Sequence, residues 1–173
     1  MVIIIDQYHR NTLIKLIISE EETDSIKLLN KIIAINFQFY DVAFLSLRIF
    51  SKIKTELDPL QLSVFMNRKL ITKQLLQHPF LNITRVDSFD NTILHQAIIN
   101  MNHNAVNRLN MIQILLTSHS TKKDVMIKMI LNSENKNGFT PIRLAMLPTY
   151  YDENIVSLLR NMVCNINVTL SSE

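Results

Sequence analysis

The chain has a single glycine in 173 residues, and the place where it stands constrains the fold more than any other feature. Gly138 lies in ENKNGFTPIRLAM, residues 134–146. Asn137-Gly138 is a strong tight-turn signal, because both central residues take positive φ at low cost. Thr140 can then cap a helix with its hydroxyl, and Pro141 suits the first helical position, where a missing N–H loses nothing. The stretch reads as turn, cap and helix start. The same scarcity of glycine excludes a glycine-rich phosphate-binding loop.

The stretch has a relative 48 residues earlier, DSFDNTILHQA at 87–97, in which Thr92 aligns with Thr140, Leu94 with Ile142 and Ala97 with Ala145. A second apolar segment follows each, IQILL at 112–116 and IVSLL at 155–159, the latter running into an Asn-rich exit, VCNINV. Another copy starts at DPLQLS, 58–63, with Leu75-Leu76 as its paired leucines, and Asp58 precedes Thr92 by 34 residues. A turn, a short capped helix and a second helix ending in paired leucines resemble the ankyrin repeat, whose signature is T-P-L-H-x-A on a period of about 33. The longer separation is accounted for by about seven extra residues between Ala97 and Ile112 and about eight between Leu116 and Asn135, measured against the family spacing.

The resemblance covers 54–168 and extends more faintly over 6–53. There Thr12 opens a degenerate copy, SIKLL at 25–29 imitates a second helix, and DVAFLSLRIFSKI at 41–53 has apolar spacing that suits an additional helix or a long repeat arm. The pattern is departed from where Ile93 replaces proline, where Gln61 and Arg143 replace the histidine that His95 keeps, and where Asp90 stands in the usual place of glycine. The resemblance implies an all-α ankyrin-repeat solenoid of about four helix-pair repeats with insertions. It would form one domain over 1–173, its clearer repeats at about 54–86, 87–134 and 135–168.

Composition adds exclusions. Hydrophobic residues make up 47%, which argues against wholesale disorder. Eighteen basic against 15 acidic residues, net +3, is too even a balance to mark a nucleic-acid partner. No run approaches 18 apolar residues, so no membrane span is expected, and MVIIIDQYHR lacks the basic region and cleavage site of a secretory signal. One cysteine, Cys164, excludes an internal disulfide framework and fits a reducing, cytoplasmic compartment, that of a host cell if the protein is delivered there.

A helix pair cannot bury its apolar face alone, so neighbouring repeats stack into one core. Leu94, Ala97, Ile112, Leu115 and Leu116 are expected to line it, with Ile142, Ala145, Ile155, Leu158 and Leu159 in the next layer. Thr92, Thr140 and Asp58 are the capping candidates, and His95 is expected to bond backbone in the neighbouring turn. No metal or cofactor is called for. His95, His103 and His119 match no closed ligand spacing, and Cys164 takes a small-residue position as a buried, inert thiol. With no convergent acid, base or nucleophile, the reading is non-enzymatic.

Ankyrin proteins commonly dock partners on the concave side, on turn tips and the exposed ends of first helices. The resemblance places Phe89 and Asn91 in one turn and Lys136, Asn137 and Phe139 in the next, bordered by Leu57, Phe65, Met66, Ile99 and Leu147. Phe89 and Phe139 are the expected anchors, each largely exposed in the free protein. The insertions at 100–111 and 117–130, read as loops longer than the family norm, are further candidates; within the second, Val125, Met126, Met129 and Ile130 would form an apolar stripe on a helix, read as core. The function implied is a protein–protein interaction module, a monomer or weak homo-oligomer. The high isoleucine and asparagine content fits an AT-rich genome. Small, freestanding versions with eroded motifs from such genomes resemble those that intracellular bacteria or large DNA viruses make to engage host proteins, as effectors or as mimics of the ankyrin inhibitors of Rel-type transcription factors. A self-assembling structural module is the alternative, because the last repeat ends without an obviously polar capping helix.

Overall fold

The computed structural model describes residues 45–47, 55–77, 81–100, 104–117 and 124–168. The chain divides into two compact units, Met1–Asn82 and Ile83–Glu173. Seven helices and one small strand pair make up the described regular structure, which is all-α in character.

In the first unit, β1 (Leu45–Leu47) pairs antiparallel with β2 (Thr55–Leu57), Leu45 opposite Leu57. This corrects the helix expected at 41–53 for these three residues. Leu-Ser-Leu also alternates with period two, and a facing segment that supplies ladder partners decides for strand. The rest of 41–53, and the copy expected from Thr12 through 25–29, lie outside the described residues.

Helix α1 (Pro59–Phe65) starts on a reciprocal capping box: the Asp58 carboxylate accepts the Gln61 N–H at 2.8 Å, and Gln61 Oε1 accepts the Asp58 N–H at 2.9 Å. It ends in a Schellman turn, with Arg68 N–H donating to the Ser63 carbonyl at 2.8 Å and Asn67 N–H to that of Val64 at 3.0 Å. Asn67 takes the left-handed position there, at φ 54°. Helix α2 (Lys69–Leu76) packs back on α1, burying the paired Leu75 and Leu76. Ser63 and Thr72, both fully buried, meet hydroxyl to hydroxyl at 2.9 Å.

The second unit holds α3 (Ile93–Ile99), α4 (Ala105–Thr117), α5 (Asp124–Asn132), α6 (Pro141–Ala145) and α7 (Glu153–Val168). Helix α3 packs on α4, and α6 on α7; between the pairs, α3 packs on α6 and α4 on α7. First helices thus meet first helices and second meet second, while α5 lies against α3, α6 and α7. Thr140 caps α6, accepting the Arg143 N–H at 3.4 Å, and Pro141 fills its first position. Small side chains occupy the close contact of each first helix: Ser63, Ala97 and Ala145 are at most 2% exposed.

The core follows the repeat in its inner layer and departs from it in the outer one. Leu94, Ala97, Ile112, Leu115 and Leu116 are buried, as are Ala145, Ile155 and Leu159. Ile142 and Leu158 are only partly buried. Their equivalents Leu94 and Leu115 belong to the pair on which α6 and α7 pack, whereas among the described residues no further helix pair lies beyond α6 and α7.

Three local expectations are corrected. Residues 105–111 of the first insertion are not loop but the opening turns of α4. In α5 the buried face is Ile127, Ile130 and Leu131, while Val125 and Met129 are exposed, because a helix buries the i, i+3, i+4 set that meets its neighbours. The VCNINV exit is helical, continuing α7, and it leaves Cys164 exposed rather than buried.

Candidate functional site

The candidate surface is built on two turns that repeat each other bond for bond. In the first, Asp87 N–H donates to the Asn91 carbonyl at 3.1 Å and Asp90 N–H to the Asp87 carbonyl at 3.0 Å. In the second, Asn135 N–H donates to the Phe139 carbonyl at 3.0 Å and Gly138 N–H to the Asn135 carbonyl at 2.8 Å. The side chain of the first residue organises each turn from within. Asp87 Oδ1 accepts the N–H groups of Phe89 and Asn91 at 2.8 and 2.9 Å, and Asn135 Oδ1 accepts those of Asn137 and Phe139 at 3.0 and 3.1 Å. The fourth residue is left-handed in both, Asp90 at φ 58° and Gly138 at φ 74°. Asn137 does not share the positive φ expected of it; the turn spans Asn135–Gly138 with the glycine last, so one left-handed residue suffices.

The two turns are also bonded to one another. Lys136 N–H donates to the Phe89 carbonyl at 3.0 Å and its ammonium to the Ser88 carbonyl at 2.6 Å. Beneath them Asn135 Nδ2 donates to Asn91 Oδ1 at 2.9 Å, and Asn91 Nδ2 to Asp87 Oδ2 at 3.1 Å. Asn91 and Asn135 are buried, so these bonds form in a low-dielectric setting where an unmade one would be costly.

His95 joins the second turn to the start of α3. Its Nδ1 accepts the Thr92 N–H at 3.1 Å, which requires that nitrogen to be unprotonated. Nε2 therefore carries the proton and donates it to the Phe139 carbonyl at 2.8 Å, the backbone bond expected from the sequence. Complete burial of His95 pushes its pKa below the ordinary value, against the Phe139 bond and the Asp87 charge, which act the other way. Gln61 makes the same capping contact in α1 with its amide oxygen.

The residues expected to meet a partner are thereby sorted. Phe89 is 57% exposed at the turn tip, flanked by exposed Val86, Ser88 and Asp90. Phe139 is only partly exposed and equivalent to Asn91 rather than to Phe89, so the two rings are not successive tips; the residue matching Phe89 is the exposed Asn137. Asn91 is buried in the amide relay, and the Lys136 ammonium is engaged by Ser88. Ile99, the last residue of α3, and Leu147, two residues past the end of α6, stand at the same 48-residue offset and are both partly exposed. Leu57, Phe65 and Met66 belong to the first unit, with Leu57 in β2, Phe65 exposed and Met66 partly so. Asp87 and Asn135 escaped the sequence reading although they stand at the same repeat offset; an Asp or Asn opening a turn was the signal that marks them.

Among the described residues the one histidine is His95; His103 and His119 lie outside them. Among the described residues no cluster of three or more His, Cys, Asp or Glu is placed to hold a metal ion, and no helix is long and apolar enough to cross a membrane. No family model, curated protein or solved structure matches the chain.

Proposed function

We propose that the protein is a non-enzymatic interaction module of ankyrin type that binds a protein partner through the paired turn tips. The observation that carries this reading is the contrast within the turns. Their backbones are cross-linked by the Lys136–Phe89 bond and the Asp87–Asn91–Asn135 relay, yet Phe89 projects from them with more than half its surface in water. A rigid ledge presenting an exposed aromatic ring loses little conformational entropy on binding, and aromatic anchors dominate interface energetics. The ankyrin assignment is supported by the coincidence of the 48-residue sequence offset with identical turn geometry and with first-to-first and second-to-second helix packing.

Affinity capture from candidate host lysates, wild type beside Phe89→Ala, tests the reading. Truncating an exposed ring should change folding stability by only about 0.5 kcal/mol, while loss of a central anchor costs about 2 kcal/mol or more of binding. A variant that melts like the wild type and loses the captured protein is the expected result. Identical capture by both would overturn the turn-tip surface. A second reading, self-assembly, draws on the partial exposure of Ile142 and Leu158 on the outer layer. Light scattering separates the two: concentration-dependent oligomers favour assembly, and a monomer at high concentration counts against it.

A further inference from the structure

We propose that His95 is a proton switch at the start of α3: protonation of Nδ1 opens the cap that holds Thr92 while leaving the Nε2 bond to the next turn in place. This goes beyond the binding reading and does not depend on it. In the neutral state Nδ1 is an acceptor for two donors, the Thr92 N–H at 3.1 Å and the Thr92 hydroxyl at 2.8 Å. A proton on Nδ1 converts that acceptor into a donor. The hydroxyl can turn round, accept from Nδ1 and direct its own hydrogen to the Ile130 carbonyl of α5, which lies at 3.5 Å. The backbone N–H of Thr92 cannot turn, and it is left facing a donor inside a fully buried site. On the other side of the ring nothing is lost, since Nε2 donates to Phe139 in both states.

The charged groups on the elements around α3 do not cancel this asymmetry. Asp87, in the preceding turn, favours the proton; Arg108 from α4, Lys128 from α5 and Arg143 from α6 are cationic, as is Lys136 in the next turn, and Glu134 is already paired with Arg143. Burial outweighs Asp87, and the histidine's pKa is lowered from 6.5. The folded state therefore binds this proton less well than the unfolded chain. Stability from His95 is fully present above pH 6.5 and is lost as pH falls from there towards the lowered value, by about tenfold in the folding equilibrium per pH unit across that window.

The chain carries its own control. Gln61 caps α1 through the same contact to the Asp58 N–H, and an amide does not titrate in this range. The test is NMR on the full-length protein from pH 7.5 downward, following the His95 ring nitrogens together with amide hydrogen exchange corrected for intrinsic rates. As the ring protonates, protection at Thr92 should fall about tenfold or more, while Asp58 and the inter-turn Lys136 amide stay protected. His95→Gln should keep Thr92 protected throughout. Should that variant fail to fold, the wild-type titration decides alone. Thr92 protection that is unchanged after His95 has protonated overturns the switch, as does loss at Thr92 and Lys136 together, which would mean that the whole joint opens.

Discussion

The turn at 87–91 and the turn at 135–139 share a backbone but few side chains. One opens with Asp and the other with Asn; one places Asp90 and the other Gly138 in the left-handed position; one is followed by His95 and the other by Arg143. What they keep is an oxygen on a short side chain at the first position and a residue that tolerates positive φ at the fourth. Those are the two requirements of the geometry, and chemistry beyond them is free to vary. The helices that follow differ more. Leu94 is fully buried in α3, whereas its equivalent Ile142 in α6 is partly in water: the first is covered by the next helix pair, and among the described residues no further pair packs on the second.

The largest effect should come from that difference in cover. Leu94→Ala should cost about 2–5 kcal/mol, since it leaves a cavity in a packed layer. Ile142→Ala should cost less than half as much. Equal losses in urea titrations would show that the outer layer is as well covered as the inner one.

A smaller effect should separate the two turn-opening side chains. Asn135→Ala removes the acceptor for two backbone N–H groups and the donor to Asn91 in a buried site, an expected loss of about 1–3 kcal/mol. Asp87→Asn keeps one oxygen for the Phe89 and Asn91 N–H groups but turns a donor towards the Asn91 amide in place of Oδ2, an expected loss of about 1 kcal/mol. Thermal melts at neutral pH measure both; a larger loss for Asp87→Asn would make charge, rather than geometry, the organiser of the turn.

The smallest effect concerns the fourth position. Nothing lies within 4 Å of a Cβ added at Gly138, so Gly138→Ala should cost only the strain of its φ of 74°, about 1 kcal/mol. Asp90→Gly should move the other way by roughly 0.5–1 kcal/mol. If both variants melt like the wild type, left-handed backbone is not what these positions select.

Much of this was legible because it is local. Thr140 and Pro141, the Asp58 cap, the paired leucines and the backbone bond of His95 all follow from rules that act within a turn or from the repeat. The exposed Cys164 and the rotated stripe of α5 were not. Period and propensity show that a segment is amphipathic; which face it buries depends on neighbours distant in sequence. Phe89 and Phe139 look alike as turn phenylalanines, although the alignment of Thr92 with Thr140 already sets Phe139 opposite Asn91; what the structure added is that Asn91 is buried while Phe89 is exposed.

The amino-acid sequence by itself determined where the described turns and short helices begin, how α1 and α6 are capped, and that the scarce glycine stands where the chain turns left-handed. Asn67 and Asp90 serve at other left-handed positions because short polar side chains tolerate αL best after glycine. Tertiary structure alone decided which repeat-equivalent side chains are core and which are surface. Capping and φ preferences are short-range energies of the chain, whereas burial is a property of whatever packs on top.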